Sequence, residues 1–213
     1  MKKILSLDIS SNTIGYALFE YDDASCNLIK YGNIKPPKSD KGNLSFRALA
    51  ASKDLRVLLK SEKPDEVAVE AYASRFNKGR STIRTIIVLS FFNEQLQLTT
   101  LDELNITCDS YPVMTIRSTI SNHLNKHIVS KEEMFDAMCA NFKSFTPRKN
   151  RSGNIADESM DETDAIAVGF CHYLIKQKSV AAKTTTKPVK SKANPAIKQK
   201  SKKKEAKQNG VSE

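Results

Sequence analysis

Four acidic residues stand in three places where a carboxylate is out of keeping with its neighbours. Asp8 falls in the apolar stretch Leu5-Ser6-Leu7-Asp8-Ile9. A strand there puts Ile4, Ser6 and Asp8 on one face, and an ionised carboxylate on such a face is costly unless it ends the strand or pairs with a cation. Glu70 directly follows Val67-Ala68-Val69, although Glu is disfavoured in strands. Asp161 and Asp164 are one helical turn apart and precede the apolar run Ala165-Ile166-Ala167-Val168-Gly169-Phe170. Their face continues as Ala165, Val168, His172 and Ile175, so the two acids head a stripe that otherwise points inward. Each has an ordinary explanation: a turn cap for Asp8, an exit from the core for Glu70, and acids favoured in a helix's first turn for the pair. The helix dipole does not account for the pair's alignment with the inward stripe. Brought to one point, such carboxylates repel strongly, and hard divalent cations with oxygen preference, Mg²⁺ or Mn²⁺, relieve that repulsion. Asp157 and Glu158 lie just upstream, precede the expected helix start, and rank behind the other four.

The elements that would carry these residues follow from periodicity. Residues 3–9, 13–21 and 27–34 read as three strands of a hairpin-linked meander, with a tight turn at Ser10-Ser11-Asn12. Phe46, Leu49, Leu55, Leu58 and Leu59 recur at helical steps over 45–60. A short strand at 66–71 ends near Glu70, and a long, unusually apolar helix covers 81–101. One buried face does not need that many apolar residues, so this helix is either buried on two sides within the monomer or packs its second face on a partner subunit. A fifth strand at 105–111, a helix at 113–122, a helix opened by the Ser130–Glu133 capping box and a final helix over 160–176 complete the order. Three meandering strands followed by crossovers make a five-stranded mixed sheet flanked by helices, an α/β arrangement in the RNase H-like order.

Charge separates the body from the end of the chain. The net charge is +10, but residues 177–213 hold 11 lysines and 2 glutamates, leaving 23 basic and 22 acidic residues in 1–176. The first 176 residues are expected to form one domain, with 177–213 a disordered Lys-rich tail. A neutral body with a basic tail suggests a polyanionic partner. Cys26, Cys108, Cys139 and Cys171 show no paired spacing and read as reduced. No stretch approaches a membrane span, and Asp8 interrupts the opening apolar run too early for a signal sequence, so the expected location is cytoplasmic. His123 and His127 lack a metalloprotease motif, and His172 reads as a packed, hydrogen-bonded histidine.

The fold order would make the first and fourth strands neighbours, with their carboxylate ends facing the start of the final helix. Two divalent ions about 4 Å apart would stabilise an attacking water and a leaving oxygen in phosphodiester hydrolysis. The loop Ser74-Arg75-Phe76-Asn77-Lys78-Gly79-Arg80, with Arg84 beyond it, follows Glu70. Its cations suit backbone phosphates and its aromatic a base.

At this point the chain resembles the RuvC-type Holliday-junction resolvases over most of residues 1–176. Leu7-Asp8-Ile9-Ser10-Ser11-Asn12-Thr13-Ile14-Gly15 is similar to the family's first motif, although the family carries Pro-Gly at the turn where this chain has Ile9-Ser10. Val67-Ala68-Val69-Glu70 is similar to the second, and Asp161-x-x-Asp164-Ala165 to the third and most specific. The resemblance implies that Asp8, Glu70, Asp161 and Asp164 hold two Mg²⁺ ions. It implies a homodimer, built on helix 81–101, that resolves four-way DNA junctions by paired nicks. Arg117 falls on a basic position near the scissile phosphate, and Lys131 and Lys126 compete for a second. Tyr72 and Phe76 compete for an aromatic that wedges into the junction. The same fold on flaps, Y-junctions or RNA–DNA hybrids is the alternative. An actin-like ATPase is disfavoured, because that superfold needs a second glycine-rich loop and the chain has only seven glycines.

Overall fold

The computed structural model describes residues 1–37, 43–72 and 83–185. Strands β1 (Lys2–Ile9), β2 (Ile14–Tyr21), β3 (Cys26–Ile34), β4 (Glu66–Glu70) and β5 (Asp109–Tyr111) form one sheet in the order β3-β2-β1-β4-β5. β1–β2 and β2–β3 pair antiparallel, while β1–β4 and β4–β5 pair parallel. The helices are α1 (Leu44–Glu62), α2 (Ile83–Leu104), α3 (Val113–Leu124), α4 (Lys131–Asn141) and α5 (Asp157–Thr185). The five-stranded mixed sheet expected from the sequence is therefore the one observed.

Side-chain alternation divides the apolar residues into two cores. Leu5, Leu7, Ile9, Leu18, Val67 and Val69 pack with α1 and α2 on one face, joined by Leu55, Leu59, Phe92 and Leu96. Ile4, Ala17, Phe19 and Ala68 point to the other face, against α3, α4 and α5. That face includes Ser6, whose hydroxyl donates to the Ala165 carbonyl at 2.7 Å. Helix α5 lies so close to the sheet that a Cβ on Gly169 would come within 2.3 Å of the Phe19 ring. From Ala165 to His172 every residue is buried, so the single inward stripe expected for this helix is in fact burial all round, between the sheet and α3–α4.

Several bounds differ from expectation for identifiable reasons. Helix α2 runs on to Leu104 and stops where Asn105 turns left-handed, so Ile106 and Cys108 pack on the α1–α2 core and β5 shrinks to three residues. Helix α5 starts at Asp157 rather than near Met160, which places Asp157 and Glu158 in its first turn. It also passes Lys176 and continues to Thr185, through residues with good helix propensity and no proline. Residues 177–185 therefore continue α5 past the boundary expected at 176, and residues 186–213 lie outside the described part. The capping box at α4 forms, Ser130 accepting from the Glu133 amide and Glu133 from the Ser130 amide. Burial of α2 on two sides within the monomer is not observed: Ile83, Ile87 and Leu98 are 65%, 58% and 59% exposed. No helix among the described residues is long and apolar enough to cross a membrane.

Candidate active site

Sheet register brings the first two carboxylates together. Leu7 pairs with Val69 in the parallel β1–β4 ladder, so the next residues, Asp8 and Glu70, are neighbours on the α5 face. The Glu70 carbonyl is held by Asn93 Nδ2 of α2 at 3.1 Å. Ser10 builds the turn after β1: its hydroxyl donates to the Thr13 carbonyl at 2.6 Å and accepts from the Thr13 amide at 3.1 Å. Ser10 thus shapes a turn for which the resembling family uses Pro-Gly. Arg47 of α1 clamps the same turn through the Ser11 carbonyl and Asn12 Oδ1.

Glycine at position 15 lets the third element in. Gly15 pairs with Asp8 across β1–β2, and a Cβ there would lie 2.1 Å from the Asp161 carbonyl oxygen. The first turns of α5 therefore rest directly on the β1–β2 backbone, delivering Asp161 and Asp164 to Asp8.

Electrostatics record the convergence. The Asp8 carboxyl is raised well above the usual range by burial, then by the charges of Glu70, Asp164 and Asp161, with Lys131 opposing. Burial and then Asp164 push Glu70 up to about 7, against Lys131 and Arg117. Asp161 and Asp164 are likewise raised, chiefly by burial, with Lys131 pulling both down. Lys131 Nζ sits 2.7 Å from Asp164 Oδ2. Acids that resist ionisation, countered by Lys131 and Arg117, have the oxygen chemistry a hard divalent cation takes, although among the described residues only Glu66, Asp109 and His172 bring three ligand-type atoms within 4.8 Å of one another.

A cavity of about 130 Å³ opens beside the cluster, lined by Glu70, Asp164, Arg117, Lys131, Val113, Ile116, Met134 and Ala167. The structure thus brings Arg117 and Lys131 to the carboxylates. Lys126 is exposed and lies outside this cavity. Tyr72 is exposed two residues beyond Glu70. Arg84 is exposed in the first turn of α2, on a groove shared with Arg47. Arg75, Phe76, Lys78 and Arg80 lie outside the described residues, so the choice between Tyr72 and Phe76 stays open.

A second polar group sits at the other end of the sheet. His172 is buried, with Nε2 2.6 Å from Glu66 Oε2 and Nδ1 2.9 Å from the Tyr111 hydroxyl, as expected of a packed histidine. Glu66, Asp109 and His172 place ligand-type atoms within 4.8 Å of one another. Lys176 Nζ lies 3.5 Å from Glu66 and 3.4 Å from Asp109, so this group carries its own cation.

Sequence reasoning missed Arg47, Asn93, Asn33, Arg148 and Glu162. Only Glu162 carried a signal, being an acid between Asp161 and Asp164; the others follow no motif or period.

No protein-family model matches the chain. Crossover junction endodeoxyribonuclease RuvC of Campylobacter concisus is 26% identical over 170 residues, covering 80% of this chain and 95% of the relative. The protein of the same name from Petrotoga mobilis is 27% identical over 175 residues, covering 79% and 91%. Among solved structures, T. thermophilus RuvC in complex with Holliday junction substrate superposes with a TM-score of 0.62 at 14% identity, covering 83% of this chain and 96% of that one. The yeast mitochondrial Holliday junction resolvase gives 0.58 at 14% identity, covering 83% and 80%. At that identity the two structures establish the fold. The chain is thus similar in sequence, along four fifths of its length, to the RuvC-type resolvases, and it shares their RNase H-like fold.

Proposed function

We propose that the chain is a metal-dependent endonuclease that resolves four-way DNA junctions by paired nicks, with Asp8, Glu70, Asp161 and Asp164 as its metal ligands. The observation that carries this reading is the meeting of carboxylates from β1, β4 and α5 beside a cavity bearing Arg117 and Lys131. The names of the sequence relatives, all crossover junction endodeoxyribonucleases, support it.

The four carboxylates would hold two Mg²⁺ ions, with Mn²⁺ as a substitute. When bound, such ions stabilise an attacking water and the departing 3′ oxygen. The chain's own groups do the positioning. Arg117 and Lys131 bind the phosphate from the α3–α4 side. Val113, Ile116 and Met134 give the cavity an apolar wall suited to a sugar face. Tyr72 and Phe76 are candidates for stacking on a base at the branch. Arg75, Lys78, Arg80 and Arg84 hold backbone phosphates, and the lysines beyond 185 add salt-sensitive affinity.

The outward apolar face of α2 supports a homodimer, because Ile83, Ile87 and Leu98 form an exposed stripe among the described residues. Two sites related by a two-fold axis suit a near-symmetric junction. An Ile87→Asp change should shift the sedimenting species to a monomer, and an unchanged dimer would reject α2 as the interface.

The test is incubation of the protein with synthetic four-way, Y-shaped and linear duplex DNA, and with an RNA–DNA hybrid, in Mg²⁺ and in chelator. Nicking should be chelator-sensitive, strongest on the four-way junction, and abolished by Asp8→Asn with binding retained. Equal cutting of every substrate would remove the junction preference while leaving the nuclease. Cleavage that survives chelator or Asp8→Asn would remove both.

A further inference from the structure

Glu162 lies between two of the proposed metal ligands and turns away from them. Its side chain is only 2% exposed, yet it carries a carboxylate. Oε1 accepts from Asn33 Nδ2 at 2.8 Å and is ion-paired with Arg148 Nη2. Asn33 Nδ2 also donates to the Glu158 carbonyl at 3.2 Å, so one β3 side chain grips two points in the first turns of α5. Arg148 is fixed to the same turns by its backbone. Its amide donates to Ser159 Oγ at 2.8 Å, and its carbonyl accepts from the Ala156 amide at 2.9 Å.

Register gives this arrangement its meaning. Asp8 pairs with Gly15, and Gly15 with Asn33, so the three form one row across β1, β2 and β3. Asp161 rests on the middle of that row at Gly15. The outer end of the row ties down the residue next to Asp161. Hydrogen bonds from Asn33 and Arg148 to the Glu162 carboxylate therefore fix the helix end that presents Asp161 on one side of Glu162 and Asp164 on the other. The dependence on Arg148 is strong, because Glu162 Oε2 is buried without a hydrogen-bond partner. Removing the guanidinium leaves a buried carboxylate without its charge partner.

We infer that Asn33, Arg148 and Glu162 form a positioning clasp that sets Asp161 and Asp164 against Asp8, and so tunes the affinity of the site for divalent metal. The inference rests on the nuclease reading above. Asn33 and Arg148 lie outside the resemblance motifs, and Glu162 fills a position that the third motif leaves unspecified.

The clasp predicts a sign that charge alone does not. Arg148→Met removes a positive charge near a cation site, which by Coulomb's law tightens metal binding. A lost clasp loosens it, by about 10-fold or more if these residues behave like other groups that orient metal ligands. The measurement is Mn²⁺ binding to the full chain without DNA, followed by the paramagnetic resonance of free Mn²⁺, with a melting curve for each variant. The charge-neutral pair R148M/E162Q leaves net charge unchanged, so a weakened affinity in it has no long-range electrostatic origin. Arg148→Lys, which keeps the charge and one donor, should recover part of the loss.

Unchanged or tighter Mn²⁺ binding in folded R148M, or in folded R148M/E162Q, overturns the clasp while leaving the nuclease reading intact. Unfolding of both variants at the assay temperature also overturns it, because the contacts would then hold the whole domain rather than one helix end. A wild-type chain that binds no Mn²⁺ defeats both the clasp and the metal-site reading.

Discussion

Replacing Glu70 by glutamine should make the metal-free protein more stable, and only above a certain pH. Burial, then the charge of Asp164, pushes this carboxyl from an ordinary value of 4.5 up to about 7, with Lys131 and Arg117 opposing. Between those values the folded chain holds the proton and the unfolded chain has released it, so stability falls as pH rises. The cost is absent below about pH 4.5 and complete above about pH 7. Each tenfold change in proton affinity is worth about 1.4 kcal/mol, so the full cost is on the order of 3 kcal/mol. Glutamine keeps the shape and sheds the charge. A domain of this size melts roughly 2–4 °C higher per kcal/mol. In chelator at pH 8, Glu70→Gln should therefore melt about 6–12 °C above the wild type, and the gap should close toward pH 4.5. Saturating Mg²⁺ should narrow or reverse the order, since a ligand that binds only the native state stabilises it by an amount that grows with the logarithm of its concentration over Kd. Thermal melts from pH 4.5 to 8.5, with and without Mg²⁺, measure all of this. A gap that is flat across pH, or a wild type more stable than Glu70→Gln in chelator at pH 8, would refute the reasoning.

The remaining expectations concern the frame around the site. Gly15→Ala places a methyl group 2.1 Å from the Asp161 carbonyl oxygen, and backbone must move to admit it. A lower melting temperature and roughly 100-fold slower nicking are expected, given what a displacement of about 1 Å costs; an unimpaired rate would contradict the close approach. His172 is held below its ordinary value of 6.5 by burial, with the Glu66 bond and charge opposing. The unfolded chain therefore takes up the proton first, and stability should fall as pH drops below about 6.5. His172→Gln should flatten melting temperature between pH 6.5 and 5, and a persisting slope there would assign the effect elsewhere. Glu66 is raised by burial but lowered on balance by its Tyr21 and His172 bonds, so its contribution is lost only below about pH 4.5. Deleting residues 186–213 removes nine lysines; junction affinity should drop at moderate salt, with a shallower salt dependence. Cleavage at saturating enzyme should be retained, and its loss would place the tail in the chemistry.

The four acids were legible because each broke a local rule: a charge on a core face, a Glu closing an apolar strand, two acids heading an inward helix stripe. The sheet order was legible from three alternating strands followed by crossovers. What the sequence concealed depends on contacts between distant elements. Asn33 is an ordinary polar residue at a strand end, and nothing local says that its amide meets Glu162 and Glu158. Arg47 looks like a surface cation on an amphipathic helix, yet it reaches the Ser10–Thr13 turn. Helix α5 was expected too short at both ends. Its first three residues, Asp157-Glu158-Ser159, are polar, and beyond Lys176 the residues at 178–180 are exposed. Lys131 and Lys126 could not be separated by spacing; Lys131, the first residue of α4, pairs with Asp164, while Lys126 is exposed away from the cavity.

The bond from Ser6 to Ala165 spans 159 residues of chain, and the carboxylates flank that same seam. Such long closures are slow to form. During synthesis β1 is made long before α5 and waits for nearly the whole domain before that helix docks on it. A half-made chain therefore holds Asp8 and Glu70 without Asp161 and Asp164, and the four acids come together only with completed folding. Under the proposed function, the DNA-cutting centre is in this way withheld from a copy of the polypeptide that stops before α5.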